Sequence, residues 1–127
     1  GRLGLLGEKG HVAHAHHVAL GERRELVFLL CLDRKGRLLA CKRLAEGDVA
    51  SADLNIRKVV EMALLTSASA MILAHNHPSG VALPSQADVQ ATVQVRDALK
   101  RLDIRLIDHI IVADGDFVSM ASSGLLR

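Results

Sequence analysis

Residues 70–88 read AMILAHNHPSGVALPSQAD, and this stretch decides how the rest of the chain is interpreted. Its apolar start, residues 70–74, predicts a short buried strand that ends at His75 and His77. Residues i and i+2 of an extended segment project to the same side. Both imidazoles can therefore reach one ion placed beyond the end of the strand, before a loop rich in proline and glycine.

A second pair of residues, Ser85 and Asp88, follows that loop at the start of a predicted helix that runs to about Leu102. Serine followed three residues later by an acidic residue is a capping pattern, which is sufficient to explain both residues. The cap also fixes Asp88 in the first turn, where it can face the histidines. Two imidazoles and one carboxylate are three ligands, the number that a catalytic zinc site uses while its fourth position stays open.

The composition is that of one domain with an aliphatic core. The chain has 127 residues, half of them apolar and only two of them aromatic. A protein that binds single-stranded nucleic acid needs aromatic stacking platforms, and this chain has no Trp and no Tyr. Its formal charge of +2 and its pI near 8.8 are weak evidence for a nucleic-acid partner.

The sequence also predicts a cytoplasmic protein without a membrane partner. The longest apolar run, residues 26–32, is too short to cross a bilayer, and the N-terminus lacks the pattern of a signal peptide. Cys31 and Cys41 flank a predicted hairpin. If Asp33 pairs with Arg37 there, Cys31 lies opposite Leu39, and we expect two reduced thiols.

Alternating strands and helices predict an α/β sandwich with a mixed sheet. The predicted strands are Glu25–Asp33, which is apolar on both faces and therefore central, Arg37–Leu44, Ala70–Ala74, Ile104–Ala113 and Phe117–Met120. The predicted helices cover His11–Leu20, a segment capped by Ser51 or Asp53 that runs to about Thr66, and the helix that Ser85 opens. The inward residues predicted for that last helix are Val89, Val93, Val95, Leu99 and Leu102.

A catalytic zinc site also needs a base that takes a proton from the attacking water. The candidates are Glu22, Glu25, Glu46 and Glu61. Glu61 lies in mid-helix, where exposure to solvent is the simplest interpretation. Glu25 lies at the entry of the central strand, where a charge is unusual unless it faces a cavity, and the residues alone do not choose among the four.

The motif as a whole resembles the JAMM (MPN-type) metalloprotease motif in the form found in the RadC-like family. That motif is a distant Glu, then His-x-His, seven residues, Ser, two residues and Asp, and residues 75–88 have this spacing. The resemblance continues in the strand that Glu25 opens, in residues 106–112 and in residues 117–126. It covers roughly residues 22–127, which we take as the domain, with residues 1–21 as an N-terminal lead-in segment.

The resemblance implies a function for each matched residue. His75, His77 and Asp88 match the zinc ligands, Glu25 matches the general base, and Ser85 matches the serine that helps to stabilise the oxyanion. The implied fold is the JAMM/MPN-like sandwich, related to the deaminases, with a mixed sheet flanked by helices. The implied activity is zinc-dependent hydrolysis of a peptide or isopeptide bond.

The alternatives belong to other classes. The RadC-like family carries a DNA-repair label, so the second interpretation is a DNA-associated accessory or scaffold module with a structural or vestigial metal. A continuous basic face would favour that module, and its candidates are Arg96, Lys100, Arg101 and Arg105. A zinc deaminase needs His-x-Glu with Cys-x-x-Cys, which this chain lacks.

The other histidines are interpreted as structural or solvent-exposed. The N-terminal group has neither a cysteine nor an acidic residue beside it, and we expect it to form an exposed polar face; it comprises His11, His14, His16 and His17. His109 lies in a predicted strand beside Asp108, and we expect it to be structural.

Overall fold

The computed structural model describes residues 26–46, 55–78 and 80–126. The strands in these ranges are β1 (Leu26–Leu32), β2 (Leu38–Glu46), β3 (Ala70–Asn76), β4 (Arg105–Ala113) and β5 (Asp116–Ser119). The helices are α1 (Ile56–Thr66) and α2 (Gln86–Lys100). The predicted helix over His11–Leu20 and the predicted domain boundary after residue 21 lie outside the described residues.

The strands form one mixed sheet in the order β2-β1-β3-β4-β5. β3 and β4 are parallel, and the other neighbouring pairs are antiparallel. A parallel pair needs a long crossover connection, and α2 supplies it between β3 and β4. The predicted α/β class with a mixed sheet is confirmed.

The apolar residues of β1 explain its place inside the sheet. Val27, Leu29 and Cys31 pack with residues of α1 and α2 in one core cluster, whereas Leu30 and Leu32 belong to a second cluster on the other face. A strand that is apolar on both faces can be buried on both faces. The prediction of a central strand is therefore confirmed.

Three local predictions are wrong. The N-cap of α1 is Asn55, whose side chain accepts a hydrogen bond from the Lys58 amide, and not Ser51 or Asp53. Helix α2 ends at Lys100, so Leu102 lies in the following turn and is 44% exposed.

The third error concerns the hairpin between β1 and β2. Asp33 does pair with Arg37 through the backbone, but the register shifts after Cys31, which lies opposite Ala40 and not Leu39. Cys31 and Cys41 are nevertheless both free thiols, as predicted. Burial raises the pKa of both thiols.

A register irregularity in β4 decides which of its side chains face α2. Leu106 pairs with Met71, but the next pair is Asp108 with Ile72, so Ile107 is an extra residue in the ladder. An extra residue reverses the alternation of faces beyond it. His109 consequently lies on the same face as Leu106, toward the helices.

Across the part of the chain that the structure describes, neither helix has the length and apolar character needed to cross a membrane.

Candidate metal centre

The end of β3 brings the two histidines of the motif together. His75 is the penultimate residue of the strand, and His77 follows its last residue. Their Nε2 atoms lie 2.7 Å apart, as the i, i+2 spacing predicts. His75 is fully buried, whereas the side chain of His77 is 15% exposed, so solvent reaches the pair from the His77 side.

The first turn of α2 brings a carboxylate to the same place. Ser85 caps the helix: its hydroxyl accepts from the Asp88 amide at 3.0 Å, and Asp88 Oδ2 accepts from the Ser85 amide at 2.8 Å. The predicted capping box is confirmed. The box holds Asp88, which is 1% exposed, with Oδ1 3.8 Å from His75 Nε2 and Oδ2 3.6 Å from His77 Nε2.

The chemistry of these donor atoms fits a metal ion. His75, His77 and Asp88 each present one ligand atom, and the three atoms lie within 4.8 Å of one another. Tetrahedral zinc with bonds of about 2.0–2.1 Å places neighbouring ligand atoms about 3.3 Å apart. The two Nε2 atoms are closer than that, at 2.7 Å, whereas the Asp88 oxygens lie slightly farther away, Oδ1 at 3.8 Å from His75 and Oδ2 at 3.6 Å from His77. Two imidazole nitrogens and one carboxylate, with solvent access on the His77 side, are a group of side chains that could hold a metal ion.

The loop after His77 orients its imidazole. His77 Nδ1 donates to the carbonyl oxygen of Val81 at 3.0 Å, which leaves the lone pair of the neutral ring on Nε2. Gly80 permits the turn because its φ is +86°, and an added Cβ would lie 2.9 Å from a carboxylate oxygen of Asp114. Ala82 packs against β4, while Val81 and Leu83 are 54% and 69% exposed and give the loop an apolar surface.

His75 is supported from inside the protein by a second histidine. His75 Nδ1 lies 2.6 Å from Nε2 of His109, and His109 Nδ1 lies 2.6 Å from Thr92 Oγ1 on α2. His109 and Thr92 are fully buried. The prediction that His109 is structural agrees with this position, and the contact with His75 connects that structural role to the candidate site.

Burial gives His109 a measurable effect on stability. Burial, with the neighbouring His75 and His77 as smaller causes, holds the pKa of His109 well below its ordinary value. Below about pH 6.5 the unfolded state therefore binds a proton at His109 that the folded state does not. We expect the free energy of unfolding of the metal-free protein to fall by up to about 1.4 kcal/mol per pH unit from this group as the pH decreases below 6.5.

Urea unfolding in the presence of a chelator, at several values between pH 7.5 and pH 5, measures this slope. The matched variant is His109→Gln, which keeps a polar side chain but does not titrate. Below pH 6.5 the free energy of unfolding of this variant should depend less steeply on pH than that of the wild type. The difference in slope should approach that of one bound proton, about 1.4 kcal/mol per pH unit. Equal slopes in the two proteins would show that His109 binds its proton equally in the folded and unfolded states.

The predicted base, Glu25, lies outside the described residues. The residue that follows it, Leu26, lies at the start of β1 and is hydrogen-bonded to Asn76 at the end of β3. The Leu26 amide donates to Asn76 Oδ1 at 2.7 Å, and Val27 pairs with His75. The side chain of Asn76, between the two histidines, thus links the start of β1 to the end of β3 by a hydrogen bond. Glu25 is one residue from that fastened backbone.

The other glutamates considered as a base, and the N-terminal histidines, are not among the residues that form this cluster in the described part of the structure. Glu61 is exposed, as predicted, and lies 3.5 Å from Arg57 on the surface of α1. Glu22 and the four N-terminal histidines lie outside the described residues, and Glu46 is the last residue of β2. The ligand and catalytic roles of the site residues stay predictions.

Comparison with known proteins identifies the family. The sequence model of the RadC-like JAB domain matches residues 8–125. The chain belongs to the RadC-like JAB domain family. This JAB domain is 47% identical over 103 residues to a UPF0758 protein of Cellvibrio japonicus, and the match covers 81% of the chain and 46% of the relative.

Other UPF0758 proteins are similarly related to the JAB domain. That of Stutzerimonas stutzeri is 50% identical over 103 residues, or 81% of the chain and 46% of the relative. That of Photobacterium profundum is 45% identical over 123 residues, or 96% of the chain and 55% of the relative. The chain spans about half the length of the curated relatives that it matches.

Two residues that contact the candidate site, Thr92 and Asn76, are not predicted by the sequence. Thr92 lies four residues after Asp88, hence on the same face of α2, and a hydroxyl at that inward position was an available signal. Asn76 lies between the two histidines and accepts a hydrogen bond from the Leu26 amide, fifty residues earlier in the chain. This bond can be predicted only if the pairing of β1 with β3 is known.

Proposed function

We propose that this chain is a zinc-dependent hydrolase of peptide or isopeptide bonds. The observation that carries the proposal is the convergence of two imidazole nitrogens and one carboxylate, from β3 and α2, at a place that solvent reaches beside His77. Catalytic zinc sites use three protein ligands of these types and keep a fourth position for water or substrate. Membership in the RadC-like JAB domain family adds support, since residues 75–88 resemble the metalloprotease motif found in that family.

His75, His77 and Asp88 would hold the zinc ion. Bound there, zinc supplies a Lewis acid that lowers the pKa of water and polarises a carbonyl group. The chain's own residues divide the remaining work: Glu25 takes a proton from the attacking water and passes it to the leaving amine. Ser85 accepts from the Asp88 amide through its oxygen, so its own proton can be donated to the developing oxyanion.

The first test is metal content. Protein refolded with zinc and freed of excess metal should contain about one zinc per chain, because the site has one set of three ligands. His77→Ala should lower that content to near zero, since it removes one of the three. The double variant His14→Ala/His17→Ala is the control for binding by the N-terminal histidines and should keep its zinc. Metal analysis that finds no zinc in the wild type, or unchanged zinc in His77→Ala, would refute the proposal.

A DNA-associated module stays a prediction from the sequence. Arg96, Lys100 and Arg105 line one groove of about 530 Å³, and Arg101 is not among its lining residues. Asp103 lies in the same groove, and Arg96 pairs with Asp97 at 3.1 Å. These carboxylates offset part of the positive charge, so the hydrolase is the function that the described residues support better.

A further inference from the structure

A buried chain of hydrogen bonds joins the predicted ligand His75 to the backbone of the predicted ligand Asp88. Its links are His75 Nδ1 to His109 Nε2 at 2.6 Å, His109 Nδ1 to Thr92 Oγ1 at 2.6 Å, and Thr92 Oγ1 to the Asp88 carbonyl oxygen at 2.6 Å. The side chains of His75, His109 and Thr92 are all fully buried. A chain of this kind is expected to have one internally consistent arrangement of protons.

The Asp88 carbonyl oxygen, at one end of this series of hydrogen bonds, determines which atom is the donor in each of them. A carbonyl oxygen can only accept, so the Thr92 hydroxyl donates its single proton to Asp88 at 2.6 Å, in preference to the weak acceptor Met120 Sδ at 3.8 Å. The Thr92 oxygen must then accept from His109, which places the His109 proton on Nδ1. A neutral imidazole protonated at Nδ1 has its lone pair on Nε2, and so His75 must donate to it through Nδ1–H.

We propose that Thr92 and His109 are positioning residues that hold His75 in its Nδ1–H tautomer, with the Nε2 lone pair directed to the metal. The inference rests on the proposed metal site and adds two residues to it. Metal-binding histidines usually donate their second ring N–H to a fixed acceptor. Here that acceptor is another imidazole, whose own tautomer has two possible states and is set by a helix carbonyl through Thr92.

His77 has the same Nδ1–H tautomer, but a single hydrogen bond sets it. His77 donates through Nδ1 directly to the Val81 carbonyl. Both rings therefore direct their Nε2 lone pairs to the same place, with the two Nε2 atoms 2.7 Å apart, as two ligands of one metal ion require. Without the Thr92 hydroxyl, His109 can instead carry its proton on Nε2 and donate it to His75, which moves the His75 proton to Nε2 and blocks that ligand atom.

The test compares two substitutions at one position. Thr92→Val has nearly the same shape but no hydroxyl, whereas Thr92→Ser keeps the hydroxyl and loses only a methyl group. We expect zinc affinity, measured by competition with a chromogenic chelator, to fall by about 10–100-fold in Thr92→Val, the range for lost outer-shell partners. Thr92→Ser should stay within about threefold of the wild type, because its hydroxyl can make both bonds.

The second measurement reads the tautomers directly and excludes a merely structural role for Thr92. Long-range ¹H–¹⁵N spectra of metal-free protein at about pH 8.5, where imidazoles are neutral, should show Nδ1–H for His75 and His109 in the wild type and in Thr92→Ser. In Thr92→Val the His75 proton should move to Nε2. The proposal is overturned if Thr92→Val keeps the wild-type tautomer, or if it changes tautomer without losing zinc affinity.

The wild-type spectrum alone also tests the proposed tautomers of His75 and His109. A proton on Nε2 of either His75 or His109 in the wild type would contradict the derived direction of the chain, even if Thr92→Val failed to fold. The measurement uses metal-free protein, so it is separate from the proposed function. A wild type that binds no zinc but shows both Nδ1–H tautomers would refute the hydrolase proposal and leave the hydrogen-bond assignment standing.

Discussion

Replacing Asp88 with asparagine is expected to weaken zinc binding by at least about 100-fold, because loss of an outer-shell partner alone costs about 10–100-fold and Asp88 is a predicted ligand. The carboxylate contributes both negative charge and an oxygen acceptor close to His75 and His77. The amide of asparagine is neutral, and its NH₂ group can only donate. One of the three predicted ligands would thus lose its negative charge and one of its two oxygen acceptors.

The capping box allows this effect to be separated from helix stability. The asparagine oxygen can still accept from the Ser85 amide, as Asp88 Oδ2 does at 2.8 Å, so helix α2 should keep its N-terminus. Ser85→Ala makes the opposite change: it removes the hydroxyl that accepts from the Asp88 amide and leaves the carboxylate in place. That loss of a cap should reduce the free energy of unfolding by about 1 kcal/mol.

The two variants should therefore show opposite behaviour in two assays. Chelator competition should report a large loss of zinc affinity in Asp88→Asn and a change of no more than a few-fold in Ser85→Ala. Thermal unfolding of the metal-free proteins should report the larger loss of stability in Ser85→Ala. If Ser85→Ala loses as much zinc affinity as Asp88→Asn, the cap geometry and not the carboxylate controls the site.

Local patterns were sufficient to predict the part of the site formed by short segments of the chain. The i, i+2 spacing of His75 and His77 fixes their common side because side chains alternate along a strand. The capping pattern fixes Asp88 in the first turn of α2 because the two hydrogen bonds of the box are local. Both features depend on fewer than five consecutive residues, and both agree with the structure.

The rest of the site depends on contacts between distant segments. Strict alternation counted from Leu106 would turn His109 away from α2, and it is the extra residue at Ile107 that brings His109 to the helix face. The partner that defines this irregularity is Met71 on another strand, so no window around His109 contains the information. The same holds for Asn76, whose acceptor role depends on the pairing of β1 with β3.

Replacing Glu25 with glutamine is expected to lower the rate of hydrolysis by about 10²–10⁴-fold, the range contributed by a general acid–base group. The amide has the shape of the carboxylate but cannot take the proton of the attacking water. Since Glu25 is not a predicted ligand, zinc content and zinc affinity should be unchanged. Val27 pairs with His75 and the Leu26 amide donates to Asn76, so the described backbone that follows Glu25 in the chain lies beside the predicted ligands.

The experiment profiles zinc-loaded wild type and Glu25→Gln on fluorogenic peptides and on lysine-linked isopeptides, with turnover and zinc content measured on the same samples. Glu61→Gln is the matched control, because Glu61 is an exposed residue of α1 beside Arg57 and its loss should leave turnover unchanged. Loss of turnover together with zinc would assign Glu25 to the metal site instead of to proton transfer. Equal turnover in Glu25→Gln and Glu61→Gln would remove Glu25 from the mechanism, and the base would then have to be sought among Glu22 and Glu46.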